Sequence, residues 1–422
     1  MLKTWGNSQS EGVLALLNVN VAIGIFALIF RKWMMIKLNE HEFSIACKIK
    51  KLKDEAGSHS PSIFTLAQQV PELKISVDAC FLSNPYATAL FLRYVEEELI
   101  GGGRLRDLLE FYPSQNRIIA QSMSDFIGIG ARNIFIANGA IEVIQAVMHR
   151  FVRGRVLVCI PTFSSYYEFA TTEVLFYPLK KEENFALDVE DYLRYVRAQR
   201  PQTVVLINPN NPDGGYLCTA RLEYLLSALS FVENIILDIS FMHFAYEDEN
   251  LSLIKAEEFF KKFPNCILIK SMSKDFGVAG IRVGYAIMSE ERVDALLENG
   301  YLWNSNGLAE YFLRTYAQEK FFKEYEQTRK KYIQQTQIFF TKLREIEGLK
   351  IYPSLANFAL VELLDGSRAE DFVAKMLIKY GIYTRTCKDK IGLEGEFVRL
   401  ASRTQEENEK ILHALREIFK ER

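Results

Sequence analysis

Short apolar runs recur through the middle of the chain: NIFIA at 133–137, RVLVCI at 155–160, TVVLIN at 203–208, NIILDI at 234–239, CILIK at 266–270 and VGYAIM at 283–288. They are rich in β-branched residues and polar mostly at their ends, the pattern of strands covered on both faces. Between them, segments such as AIEVIQAVMHRF and TARLEYLLSALSFV place apolar residues at three- and four-residue spacing, which predicts helices. Strand alternating with helix predicts an α/β fold with a parallel or mostly parallel sheet.

After residue 300 the pattern changes. A long charged stretch, YAQEKFFKEYEQTRKKYIQQTQIFFTKLREIEG, has helical spacing and ends at Gly348. The strand-like NFALVEL and GIYTRTC follow, then an amphipathic helix from about Glu406, which together predict a smaller α+β domain. A chain of 422 residues with 49% apolar content exceeds what one core usually organises, so two domains are expected. The predicted division is an apolar leader at 1–33, an arm at 34–83, a large domain at 84–305 and a small domain at 306–422.

The leader holds an uncharged run at 12–30, GVLALLNVNVAIGIFALIF, about the ~20 residues that cross a bilayer, followed by Arg31 and Lys32. Asn18 and Asn20 interrupt it. Three readings stay open: an anchor, a packed helix, or a leader produced by start-site choice with translation beginning at Met34 or Met35. Membrane contact is expected only if the run is a real anchor.

A formal charge of -2 predicts no polyanionic partner, so nucleic acid is not expected, and the basic KIKKLK reads as a solvated helix face. Six scattered cysteines without a C-x-x-C pair suggest neither a metal site nor a disulfide framework, and point to a reducing, cytoplasmic setting.

Ligand sites in open α/β sheets gather at the carboxyl ends of the strands. There ANGAIE sets Asn138, Gly139 and Ala140 at a helix start, INPNNPDGG presents Asn211, LDISF ends in Asp238, and IKSMSK carries Ser271, Ser273 and Lys274. Singly, each is ordinary turn or cap chemistry. Together on one sheet edge they meet the needs of pyridoxal phosphate. Backbone N–H groups after Gly139, the hydroxyls of Ser271 and Ser273, and Arg282 suit its phosphate. Asp238 suits the ring nitrogen, Asn211 the ring oxygen, and Phe163 the ring face. Lys274, desolvated beside cations, supplies the amine that condenses with the aldehyde.

NGA, PTF, NPNNPDG, LDISF and SMSKDFGVAGIRVG, in that order, resemble the fold-type-I pyridoxal-phosphate enzymes of the aminotransferase class I/II group, from about residue 80 to the C-terminus. The resemblance implies a large domain built on a mostly parallel seven-stranded sheet plus a small α+β domain. It also implies a homodimer whose EFYPSQN segment crosses over, with Tyr112 donating to the neighbouring cofactor phosphate. Two branches are similar. Histidinol-phosphate aminotransferases usually carry tyrosine where this chain has Phe241, a residue beside the cofactor, and a Gly-Thr turn where it has Arg403. The threonine-phosphate decarboxylase branch, which includes enzymes acting on phosphoserine, resembles this chain at both points, at TRTC and at WNSNGLAE. Asp213 departs from the common N-N-P-T-G, and Ile239 from the usual glutamate.

The resemblance thus implies decarboxylation of an O-phospho-L-amino acid, phosphoserine or phosphothreonine, to a phosphorylated amine such as phosphoethanolamine. Arg399 would meet the carboxylate and Arg385 the phosphate, with Arg403, Asn84 and Asn211 also at the substrate. The alternatives are an aminotransferase of the histidinol-phosphate type and, in another class, a non-catalytic sensor that binds the cofactor.

Overall fold

A computed structural model describes residues 38–57, 59–245, 257–298 and 300–420; the apolar run at 12–30 lies outside them. Of the described residues, those in 77–369 and 383–420 form one compact unit, and those in 38–76 with Glu370–Ile382 form another. In the smaller unit, helix Glu40–Ala56 starts on a capping box, Asn39 Oδ1 accepting from Glu42 N–H at 2.9 Å and Glu42 Oε2 from Asn39 N–H at 2.9 Å. The basic KIKKLK lies on this helix, with Lys48 paired to Glu72 at 2.5 Å.

The larger unit is built on seven strands: β1 (Ile134–Ala137), β2 (Val156–Ile160), β3 (Val174–Pro178), β4 (Thr203–Ile207), β5 (Asn234–Asp238), β6 (Cys266–Ser271) and β7 (Gly284–Ile287). Their order is β1-β7-β6-β5-β4-β2-β3. Only β7 runs against its neighbours. Successive side chains of a strand point to opposite faces. Ile235 and Leu237 therefore join one apolar core while Ile236 joins the other, which is why these strands read as unbroken apolar runs. The strand VLFYP was absent from the expected set. It is one of the two edge strands and is mostly half-buried, so its apolar signal is short.

Helix α1 (Pro85–Tyr94) is capped by Asn84, and α2 (Ala140–Phe151) follows β1. The long charged stretch forms α4 (Glu319–Arg344), and α3 (Gly307–Tyr316) precedes it. On α3, Phe312 meets Phe91 at 5.1 Å and Phe276 at 5.6 Å between ring centroids, so this helix belongs to the core beneath the sheet.

A second, antiparallel sheet comprises β8 (Leu349–Ile351), β9 (Phe358–Leu363), β10 (Arg385–Thr386) and β11 (Phe397–Ala401), in the order β10-β11-β9-β8. GIYTRTC, expected as one strand, is divided at Thr384, and only Arg385–Thr386 joins this sheet. Its register sets Arg385 opposite Arg399. Helix α5 (Gln405–Lys420) closes the chain.

Candidate active site

The carboxyl ends of β1, β2, β4, β5 and β6 lie on one edge of the sheet, and Arg282 enters the same edge because β7 is reversed. After β1, Gly139 turns the chain with φ 84, and an added Cβ would fall 2.4 Å from Arg282 Nη2. Gly284 is equally tight: its Cβ would lie 2.5 Å from Ala140 N. The guanidinium thus crosses the start of α2, where no side chain caps the helix. An uncapped helix start under a guanidinium is suited to an anion. Asn138 N–H is already engaged by Glu142 Oε2 at 2.6 Å, an oxygen that also accepts from Asn304 Nδ2 at 3.0 Å. Arg282 itself holds a left-handed φ of 53, uncommon for a non-glycine residue, and donates from Nη1 to Ala279 O at 3.1 Å.

The end of β6 is tied down from two sides. Ser271 N–H donates to Ser240 Oγ at 3.0 Å, and Ser273 N–H to Ser271 Oγ at 3.3 Å. Ser83 Oγ donates to Ser273 O at 3.2 Å, and Asn84 N–H to Lys274 O at 2.8 Å. Burial, with Arg399 and Arg282 nearby, lowers the Lys274 amine to about 8, against the opposing pull of Asp238 and Asp275. An amine so lowered is partly neutral near physiological pH and can act as a nucleophile.

Asp238 ends β5, buried, with Oδ2 accepting from Tyr166 O–H at 2.8 Å and Oδ1 from Ser240 N–H at 2.8 Å. Burial pushes its carboxyl up against those bonds. A cation beside it would reverse that shift. Phe163 stands edge-on to Tyr166 at 6.5 Å.

Arg399 approaches from the second sheet. It donates from Nη1 to Asn211 Oδ1 at 2.8 Å and from Nη2 to Cys80 O at 2.9 Å, and its guanidinium lies 5.5 Å from the centre of the Phe358 ring. Burial and Arg385 lower it to about 10. Arg385 Nη2 donates to Asp389 Oδ2 at 2.8 Å, and Arg403 Nη1 to Ser83 O at 2.9 Å. Phe241 sits in an apolar cluster with Leu82, Phe244, Tyr332 and Phe358, meeting Phe358 edge-on at 5.2 Å. Asn84 spends its Oδ1 on capping α1, accepting from Tyr86 N–H at 3.1 Å and Ala87 N–H at 3.3 Å. Tyr112 is 82% exposed, tilted against Trp303 at 5.3 Å between ring centroids, and does not join these groups within the chain.

Sequence reasoning missed Tyr166 and Ser240, both of which hold Asp238, although Tyr166 lies three residues after Phe163. It also missed a buried group beneath Lys274. Lys270 Nζ is paired with Asp275 Oδ2, and His243 Nδ1 stands 3.2 Å from the same oxygen and 3.0 Å from Tyr325 O–H. Burial and the Lys270 charge hold that imidazole well below its ordinary value, hence neutral.

At this site three buried donors, Arg399 Nε, Arg403 Nε and Asn84 Nδ2, have no hydrogen-bond acceptor among the described residues, Arg403 Nε lying 3.7 Å from Glu407 Oε2. Each costs about 1–3 kcal/mol unless an acceptor arrives. The cradle over Gly139, the lowered amine, the carboxylate at β5 and these unpaired donors fit pyridoxal phosphate together with an anionic substrate. Among the described residues no group of side chains could hold a metal ion, and no helix is long and apolar enough to cross a membrane.

A model of the family described as aminotransferase class I and II matches residues 105–415. An L-serine phosphate decarboxylase of Campylobacter jejuni is 64% identical over 390 residues, covering 92% of this chain and 100% of that protein. An L-serine phosphate decarboxylase of Sulfurospirillum multivorans is 45% identical over 390 residues, with the same coverage of 92% and 100%. The solved structure of a decarboxylase from Sulfurospirillum multivorans matches with a TM-score of 0.86 at 45% identity, over 90% of this chain and 98% of that one. The chain belongs to the aminotransferase class I and II family, and its mostly parallel seven-stranded sheet is that of fold type I.

Proposed function

We propose that the chain is a pyridoxal-phosphate-dependent decarboxylase that converts O-phospho-L-serine to carbon dioxide and phosphoethanolamine. The observation that carries this reading is the 64% identity along the full length of a protein named for acting on L-serine phosphate.

When bound, pyridoxal 5'-phosphate provides an electron sink for the pair released at the substrate's α-carbon. Gly139, Ala140 at the start of α2, Ser271, Ser273 and Arg282 would hold its phosphate, beside Asn138. Phe163 would cover the ring, with Phe241 in the apolar wall. Asp238, steadied by Tyr166 and Ser240, would keep a proton on the ring nitrogen. Asn211, whose Oδ1 is taken by Arg399, keeps Nδ2 to donate to the ring oxygen. Arg399 would fix the substrate carboxylate and with it the orientation of the α-carbon. Arg385 would take the phospho group, with Arg403 and Asn84 supplying their unpaired N–H groups. Lys274 Nζ would hold the cofactor between turnovers and would deliver the proton that replaces the carboxyl group on the α-carbon.

The Lys274 value sets a pH dependence. Below about 8 the amine is protonated, so capture of added cofactor by the cofactor-free protein should slow about tenfold per pH unit; above about 8 it should level off. Stopped-flow absorbance between pH 6 and 9 measures it, and a flat profile would contradict the role.

A homodimer is part of the reading. Leu109, Phe111, Tyr112, Leu302 and Trp303 are large, exposed apolar residues, and the Tyr112–Trp303 contact joins their two segments. Sedimentation should give a dimer, with Tyr112 serving the neighbouring site; a fully active monomer would refute it. We further assign cofactor binding to 84–305 and the substrate arginines to 306–422, with 34–83 an arm and 1–33 outside the catalytic machinery. A reducing cytoplasmic setting is supported by the six cysteines, all free thiols.

The test is a substrate panel. Phosphoserine should release carbon dioxide; phosphothreonine differs by one methyl, worth about 1–3 kcal/mol, and should be slower or comparable. Histidinol phosphate with 2-oxoglutarate should give no glutamate. Absence of carbon dioxide from both phospho-amino acids would overturn the reading.

A further inference from the structure

The proposed substrate carries two anionic groups, and one buried cation beside the arginines has no part in the account above. Lys390 lies in the turn between β10 and β11, its side chain 3% exposed. The turn is well braced: Lys390 N–H donates to Cys387 O at 3.0 Å, and Leu393 N–H to Lys390 O at 3.2 Å. Gly392, with φ 87, presses on the backbone before Phe163, where an added Cβ would lie 3.3 Å from Ile160 C and from Pro161 N. The turn is thereby held against the loop that bears Phe163, and Lys390 within it feels the charges of Arg385 and Arg399.

A buried ammonium has three N–H donors and is costly to desolvate unless paired. The acidic partner of Lys390 is Asp389, whose Oδ2 is 3.2 Å from Nζ. That same oxygen accepts from Arg385 Nη2 at 2.8 Å. One carboxylate oxygen therefore serves two cations. Arg399, opposite Arg385 in register, gives its bonds to the uncharged Asn211 and Cys80. Burial, reinforced by Arg385 and Arg399 and opposed by Asp389, holds the Lys390 ammonium below its ordinary range. Lys390 thus shares its carboxylate oxygen with a second cation, and a phosphate dianion would give its remaining N–H groups an acceptor. Arginine offers a planar fork and lysine a compact point charge, so the two can share one phosphate without competing for the same oxygen.

We propose that Lys390, together with Arg385, forms the subsite for the substrate's phospho group, and that Lys390 sets the preference for phosphorylated over unphosphorylated amines. Asp389 holds both cations in place. The inference rests on the decarboxylase reading for the identity of the substrate, but not for the binding of the phospho group.

The experiment uses the holoenzyme and its Lys390→Met and Lys390→Arg variants, titrated by calorimetry with phosphoethanolamine and, as control, ethanolamine. Loss of one charge-assisted contact should weaken phosphoethanolamine binding roughly 10- to 100-fold in Lys390→Met, leave ethanolamine unchanged, and be largely restored in Lys390→Arg. The KM for phosphoserine should rise in parallel while kcat changes far less. Should Lys390→Met fail to fold, Lys390→Gln, which can still bond Asp389 without the charge, carries the same test. Wild-type affinity for phosphoethanolamine in the neutral variants would overturn the subsite, even if the protein decarboxylates phosphoserine. If the wild type releases no carbon dioxide but the neutral variants still lose phosphoethanolamine, the decarboxylase reading falls and the subsite stands.

Discussion

Lys274→Ala should lower carbon dioxide release from phosphoserine by about 10⁴-fold or more, while the protein stays folded. The loss combines two roles of one nitrogen, holding the cofactor and returning a proton to the α-carbon, and proton transfer by a positioned side chain alone is worth about 10²–10⁴-fold. Stability should not suffer. The amine is lowered to about 8 chiefly by desolvation, so burying it as a cation is unfavourable and alanine removes that cost. Mass spectrometry after borohydride treatment and denaturation should find the cofactor attached to the wild type and absent from the variant. Continued covalent attachment would move the role to another lysine.

Asp238→Asn should be the next largest loss, about 10²–10³-fold in turnover. Asparagine keeps the shape and can still accept from Ser240 N–H, but its neutral amide leaves a protonated ring nitrogen buried without a counter-charge, a penalty of about 3–5 kcal/mol. Tyr166→Phe removes only one bond to that carboxylate and should cost nearer tenfold. The ordering is diagnostic. Steady-state kinetics in which Asp238→Asn matches the wild type would show that this carboxylate does not face the ring.

The central strands were legible because both faces of the sheet are covered: Val204 and Val205 point into different cores, and neither needs a polar residue. Where one face is less covered, as on β3, the signal faded. The site's backbone was legible for a similar reason, since strand-end residues such as Asp238 and Ser271 are placed by the strands themselves. What the sequence withheld were side-chain partnerships across distance. Asn211 and Arg399 could each be named, but the bond between residues 188 positions apart depends on how β11 meets the loop after β4. Lys390 was not singled out from the sequence; only burial and its shared carboxylate give it meaning. Asn84 is the converse. Its Oδ1 is occupied as a helix cap, so only Nδ2 remains for a ligand.

The most direct test of the account is to supply phosphoserine labelled with carbon-13 at the carboxyl carbon, in the presence of 2-oxoglutarate, and to follow the label by NMR. The account predicts that every labelled carbon leaves as carbon dioxide or bicarbonate, one for each phosphoethanolamine formed, with no glutamate. Label retained in a phosphorylated 2-oxo acid, with an equal amount of glutamate, would show that the bond to hydrogen breaks instead and that the protein is an aminotransferase.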